Sequence, residues 1–443
     1  MSISAFDSAL YGALFSTPDV GRLFTDNAEV RAMLLVEGAL AKCQGELGLI
    51  PIESALAIHR ASLEVQIDPS ALAVATAQNG VPIPEFVAAF RKAMQAPEHS
   101  QYVHWGATSQ DIIDTALILR LRQALNIIEE QILSTLQAMA KFAAQNAETP
   151  ITGRTYGQAA TVTSLGAIAA SWGQPLLRHL TRLGELRTRL LCVSLSGAVG
   201  TSSVLGPQAP ALRAALAKAL NLGDPGGSWH STRDTVAELA GWTTLVTGSL
   251  GKLGADLILF TQSGIAELTI ASGGSSTMPQ KQNPVGPSVL VALAQHTAAL
   301  NTSMQLSIQH TQQRDGSAWF AEWLALPQMI MATARATSLA AETASTMTPN
   351  LNQINANLAG GGGLIYAEAL SFALANLMPR PDAQAEMKSL CAQALADNRA
   401  LRDLVVAAYP QIDLTVVLSP TALLGQAPAE ARQFHQAVAA LDQ

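Results

Sequence analysis

Asp111 to Asn146 reads DIIDTALILRLRQALNIIEEQILSTLQAMAKFAAQN, and its apolar spacing decides the fold. Leu117, Leu121, Leu125, Ile128, Ile132, Leu136 and Met139 recur at intervals of 4, 4, 3, 4, 4 and 3. That is an eleven-residue repeat of about 3.67 residues per turn, which keeps one stripe on one side of a helix with little supercoil. At 1.5 Å per residue the segment spans roughly 54 Å. Pro150, which cannot continue a helix, suits the end of this one.

Outward from this stretch, further long helical patterns run over 162–191, 233–262, 285–310 and 318–347. With the first, these five predict a bundle of long helices and an all-α chain, since alternating β-type patterns are scarce. Residues 1–110 read as shorter helices with polar joints, 111–347 as the central bundle, and 348–443 as a smaller helical region. The run Gly360 to Gly363 is a turn rather than a phosphate loop, lacking the lysine and the preceding strand.

Composition narrows the function. The chain has 443 residues, 49% hydrophobic and only 13% charged, against roughly 25% charged in an average soluble chain. So much apolar surface predicts extensive burial, part of it between subunits. A net charge of −7 points away from nucleic acid and anionic membranes. Cys43, Cys192 and Cys391 are far apart and odd in number, which suits reduced thiols rather than a metal site. No uncharged apolar run approaches the length of a membrane span, and no signal peptide is evident, so a cytoplasmic location is expected.

Three segments carry small and polar residues unlike their helical surroundings. HWGATSQD, His104 to Asp111, stands directly before the longest helix. Thr108-x-x-Asp111 fits a capping box, and the free N–H groups of a helix start, with the hydroxyls of Thr108 and Ser109, suit a carboxylate ligand. GRTYGQAATVTSLG, Gly153 to Gly166, sets Arg154, Thr155 and Gln158 where a new helix is expected to begin. GGSSTMPQKQNPVG, Gly273 to Gly286, joins flexible glycines and two serines to Lys281 and Asn283, bracketed by Pro279 and Pro284. Such a loop is able to close over an anion.

The string GSSTMPQKQNP resembles the GSSxMPxKxNP signature loop of the fumarase/aspartase superfamily. HWGATSQD is similar to that family's first conserved region. GRTYGQ is similar to its second, which often reads GRTHGQ. The WHSTRD segment, Trp229 to Asp234, and RDGSAWFAEWLALP, Arg314 to Pro327, resemble the lactone-forming cycloisomerase branch, with adenylosuccinate lyases next.

The resemblance implies a three-domain helical subunit and a homotetramer whose active sites are shared between subunits. It implies a small polycarboxylate substrate, and neither metal nor organic cofactor. Ser275 would transfer the proton, and Lys281 and Asn283 would hold the reacting carboxylate. His104, Thr108, Ser109, Arg154, Thr155, Tyr156, Gln158, Ser276 and Met278 would line the substrate site, with Arg233 and Arg314 as further anion binders; for each arginine a structural salt bridge is the alternative.

Two positions depart from the family pattern. Tyr156 stands where most of these lyases carry a histidine taken to protonate the leaving group. A carboxylate, with a pKa of roughly 4, attacks or leaves already ionised at neutral pH. Losing that acid is therefore tolerable for lactone chemistry and damaging for C–N cleavage, with His104 and His230 as candidate stand-ins. Gln282 replaces a residue that is often basic. A structural protein on a retired lyase scaffold would not need the intact loop.

Overall fold

The computed structural model describes residues 4–442 apart from Ser272, Ser275 and Ser276. Five long helices cover Ser109–Gln145, Leu165–Leu190, Asp234–Thr261, Val285–Leu306 and Gly316–Thr346. Each lies within a few residues of its expected span. The seven stripe residues from Leu117 to Met139 are all buried. The stripe is narrow and continuous because 3.67 residues per turn nearly matches the helix itself. The chain divides into two compact units, and every one of the five helices contributes residues to both.

The first unit comprises 1–131, 179–248 and 292–338. Its apolar core gathers residues from the helices Asp26–Glu46, Ile52–Glu64 and Ile83–Met94, from the start of the Ser109–Gln145 helix, and from the segment Val193–Ala217. Phe86 and Phe90, four residues apart on one helix face, are fully buried there. The second unit comprises 132–178, 249–291 and 339–443. Its C-terminal part has a core of its own, built from Leu370, Leu374, Met387, Leu390, Leu401 and Leu404 among others.

The expectation that a helix begins around Arg154 is corrected. Pro150–Thr155 and Gln158–Ser164 form an antiparallel hairpin, with Thr155 paired to Gln158. Tyr156 and Gly157 make its two-residue turn, both with positive φ, at 53° and 74°. A turn of this hand matches the twist of the flanking strands, which is why a Tyr-Gly pair folds back here instead of entering a helix. The helix begins only at Leu165. The Gly360–Gly363 run does form a turn, with φ positive at Gly361, Gly362 and Gly363.

Candidate active site

The motif residues fall into two groups, one in each unit. In the first unit, Thr108 precedes the Ser109–Gln145 helix and its N–H donates to Asp111 Oδ2 at 2.9 Å. Half of the expected capping box is thus present. Asp111 does more than cap. Its fully buried carboxylate also accepts from the N–H groups of Ser196 at 2.8 Å and Gly197 at 3.0 Å, and lies 2.9 Å from His230 Nε2. It therefore ties the 194–197 segment and the WHSTRD segment to the helix start. His230 is buried and also lies 3.0 Å from Ser194 Oγ. It is part of this internal brace.

His104 has φ 65°, the left-handed region, as does Gly106 with φ 73°. A Cβ at Gly106 would come within 2.4 Å of Leu205 Cδ2, so only glycine fits that bend. The buried Glu37 carboxylate meets His104 twice, at 2.6 Å from Nδ1 and 3.1 Å from the backbone N–H. Burial lowers the His104 pKa, but Glu37, aided by Asp111, outweighs burial and Arg91, and the net direction is upward.

The two arginines expected to bind anions differ. Arg314 donates Nε–H to Gln110 Oε1 at 2.8 Å and lies 3.4 Å from Thr108 Oγ1. Among the described residues no carboxylate pairs with it, so its charge faces the helix start uncompensated. Arg233 is corrected to the structural alternative. Its guanidinium is 1% exposed and makes four hydrogen bonds to Asp114 and Glu322, between 2.6 and 3.2 Å, and it stacks on the Trp229 ring at 4.7 Å. Two buried carboxylates occupy it. Burial opposes the charge on Arg233, and the two carboxylates overcome it and raise its pKa.

In the second unit, Arg154, Thr155, Tyr156 and Gln158 stand together at the hairpin tip. Thr155, Tyr156 and Gln158 are exposed. Arg154 turns inward and pairs bidentately with the fully buried Glu267, at 2.6 and 2.9 Å. Glu267 also accepts from Asn357 Nδ2 at 2.9 Å. Glu267 immediately precedes the short strand Leu268–Thr269, so this pair ties the hairpin to the chain entering the signature loop. The loop is pinched at its base, where Gly273 and Asn283 exchange backbone hydrogen bonds at 2.8 and 3.0 Å. Met278 and Lys281 are exposed on it, and Asn283 is half-buried at its foot. Ser275 and Ser276 lie outside the described residues.

Glu37, Gln110 and Glu267 were missed by sequence reasoning. Gln110 sits inside a quoted motif, so a helix-phase argument could have found it. Glu37 and Glu267 meet their partners only through tertiary folding and left no local signal.

Chemically, the first group offers a hydroxyl, an imidazole and an unpaired guanidinium at a helix start, a set suited to carboxylates. The second offers an exposed lysine and an amide on a loop.

A protein-family model described as Lyase matches residues 16–298. The 3-carboxy-cis,cis-muconate cycloisomerase of Acinetobacter baylyi is 37% identical over 407 residues, 90% of either chain. The N-acetyl-S-(2-succino)cysteine lyase of Dickeya dadantii is 32% identical, covering 97% of this chain and 96% of that protein. The crystal structure of 3-carboxy-cis,cis-muconate lactonizing enzyme from Pseudomonas putida aligns with a TM-score of 0.93 at 35% identity, covering 98% of this chain and all of that one. Sequence, fold and motifs agree, and the chain belongs to the lyase family, within the fumarase/aspartase superfamily.

Proposed function

We propose that the protein is a cycloisomerase that converts 3-carboxy-cis,cis-muconate to 4-carboxymuconolactone. The observation that carries the reading is the unpaired Arg314 beside Thr108, at the helix start of a chain whose relatives bear that name. The substrate has three carboxylates, and the site offers donors for them. In the reaction one carboxylate oxygen adds to the conjugated double bond of the same molecule. One C–O bond forms, one C=C π bond opens, and charge gathers on the adjacent carboxylate as an enediolate. A proton then adds to the neighbouring carbon, and no group leaves.

Lys281 and Asn283 are assigned to the enediolate, where each fixed donor contributes a few kcal/mol, on the order of 10²–10³ in rate. Ser275 is assigned the proton transfer, activated by neighbouring donors once the loop excludes water. Thr108, Ser109, His104 and Arg314 hold the remaining carboxylates, with Thr155 and Gln158 from the hairpin. Arg154 supports the hairpin from behind through Glu267.

Leu245, Leu259, Leu306 and Leu324 are exposed on the long helices, from 49% to 72%. Such surface on central helices supports a homotetramer whose active sites draw on several subunits. We keep the division into an N-terminal region 1–110, a central bundle 111–347 and a C-terminal region 348–443 as the functional organisation of each subunit.

The test is an ultraviolet assay with purified protein and carboxymuconate, since lactone formation destroys the conjugated diene. Loss of diene absorbance is expected. Constant absorbance, with cleavage of N-acetyl-S-(2-succino)cysteine instead, would assign the chain to the C–S lyases that it also resembles.

A further inference from the structure

We propose that Glu37 is a positioning residue for the carboxylate site, holding His104 in place as a charged donor toward a substrate carboxylate. The inference rests on the reading of His104 as a substrate contact. Glu37 lies inside the Asp26–Glu46 helix and is 1% exposed among apolar residues. A carboxylate buried so deeply needs full compensation. Both of its oxygens find it on one residue: Oε1 at 2.6 Å from the His104 ring and Oε2 at 3.1 Å from the His104 backbone N–H.

The double grip has two consequences. It stabilises a left-handed backbone conformation, φ 65°, that is uncommon for residues other than glycine. It also fixes the ring through Nδ1, so Nε2 is the nitrogen left to act. Among the described residues Nε2 has no hydrogen-bond partner, and 18% of the side chain remains exposed. A ring tied by one nitrogen to a buried carboxylate is the arrangement that sets both tautomer and charge.

The charged groups facing the ring come from three elements. Glu37 and Asp111 favour the imidazolium, and Arg91, whose Nη2 donates to Val103 O at 2.8 Å, opposes it. The carboxylate at 2.6 Å decides the balance. Substrate affinity should therefore fall at high pH as the His104 ring loses its proton.

The experiment is an NMR titration of the histidine rings in the whole protein, alongside KM against pH for wild type and Glu37→Gln. In wild type the His104 ring is expected to titrate above the ordinary value of about 6.5. In Glu37→Gln it should titrate lower than in wild type, with KM raised about tenfold at pH 8 and nearly restored at pH 6. The double variant Glu37→Gln/His104→Gln should be no worse than His104→Gln alone. A wild-type ring that titrates at or below the ordinary value overturns the proposal, and that measurement needs no variant. An equal rise in KM at both pH values also overturns it. If wild type leaves carboxymuconate untouched, the functional reading has failed separately. Calorimetric binding of tricarballylate against pH then decides the role of Glu37, and affinity that ignores the His104 titration refutes it.

Discussion

Arg314 donates its Nε–H to Gln110 Oε1 at 2.8 Å, and Gln110 in turn donates Nε2–H to the carbonyl of His230 at 2.9 Å. A fully buried amide thus aims a partly exposed cation and fixes it against the segment before Arg233. Arg314→Ala is expected to raise KM by about tenfold to a hundredfold, roughly 1.4–2.7 kcal/mol, with a smaller change in kcat. Gln110→Leu should raise KM in the same direction by less, since the guanidinium remains but loses its guide. Steady-state kinetics on carboxymuconate check both. An unchanged KM in Arg314→Ala would remove the arginine from the site.

Arg233 should behave in the opposite way. Asp114 and Glu322 are both buried against it, and burial raises the Asp114 pKa even with the guanidinium beside it. Arg233→Met leaves two buried carboxylates without a partner, a loss on the order of 3–5 kcal/mol. Urea unfolding should record that loss. Any fall in activity should track the unfolded fraction rather than KM. A variant with normal stability and a raised KM would restore Arg233 to the anion site.

The long helices were legible because their apolar stripes repeat without interruption, from Leu117 to Met139 above all. The hairpin was not legible, because its strands are short and its turn residues, Tyr156 and Gly157, sit inside a motif read for chemistry. The signal was nonetheless local: Thr161, Val162 and Thr163 are β-branched, and a glycine follows directly on the first turn residue. Glu37 lies 67 residues before His104. No periodicity or spacing joins two such positions, because packing brings them together. The same holds for Arg154 and Glu267. For Arg233 the sequence left the anion site and the salt bridge both open, because it cannot tell a cation that faces a ligand from one that faces two buried acids.

The His104–Glu37 pair also predicts a pH-dependent stability. The folded pKa of His104 is raised. The stability it contributes is therefore fully present below the unfolded value, about 6.5, and is lost as pH rises through the higher folded value. His104→Gln should thus cost most near pH 6 and less at pH 9. Urea midpoints of wild type and variant at the two pH values check this. A gap that widens with pH would mean that the ring is neutral in the folded state.

Subunit sharing is testable by mixing. Thr108 sits at a helix start in one compact unit, and Met278 and Lys281 of the signature loop belong to the other. If each active site draws on several subunits, an inactive Ser275→Ala protein and an inactive Thr108→Val protein should regain partial activity after subunit exchange. Light scattering should report a tetramer for wild type. A fully active monomer would refute the shared site.

Ser275, Lys281 and Tyr156 form the last prediction, in which the pattern matters more than any single value. If Ser275 moves the proton, Ser275→Ala should lower kcat strongly and leave binding of tricarballylate nearly intact. If Lys281 holds the reacting carboxylate in both the ground and transition states, Lys281→Ala should damage KM and kcat together. Tyr156 is fully exposed on the hairpin turn. Its backbone φ of 53° is set by the turn, so Tyr156→Phe should fold normally. It should cost no more than about one power of ten, near 1.4 kcal/mol. A carboxylate nucleophile is already ionised, so no acid is needed where other lyases of the superfamily carry histidine. Should Tyr156→Phe prove as damaging as Ser275→Ala, the ring hydroxyl takes part in proton transfer. The physical reason for preferring lactone formation over elimination of a poorer leaving group would then be gone.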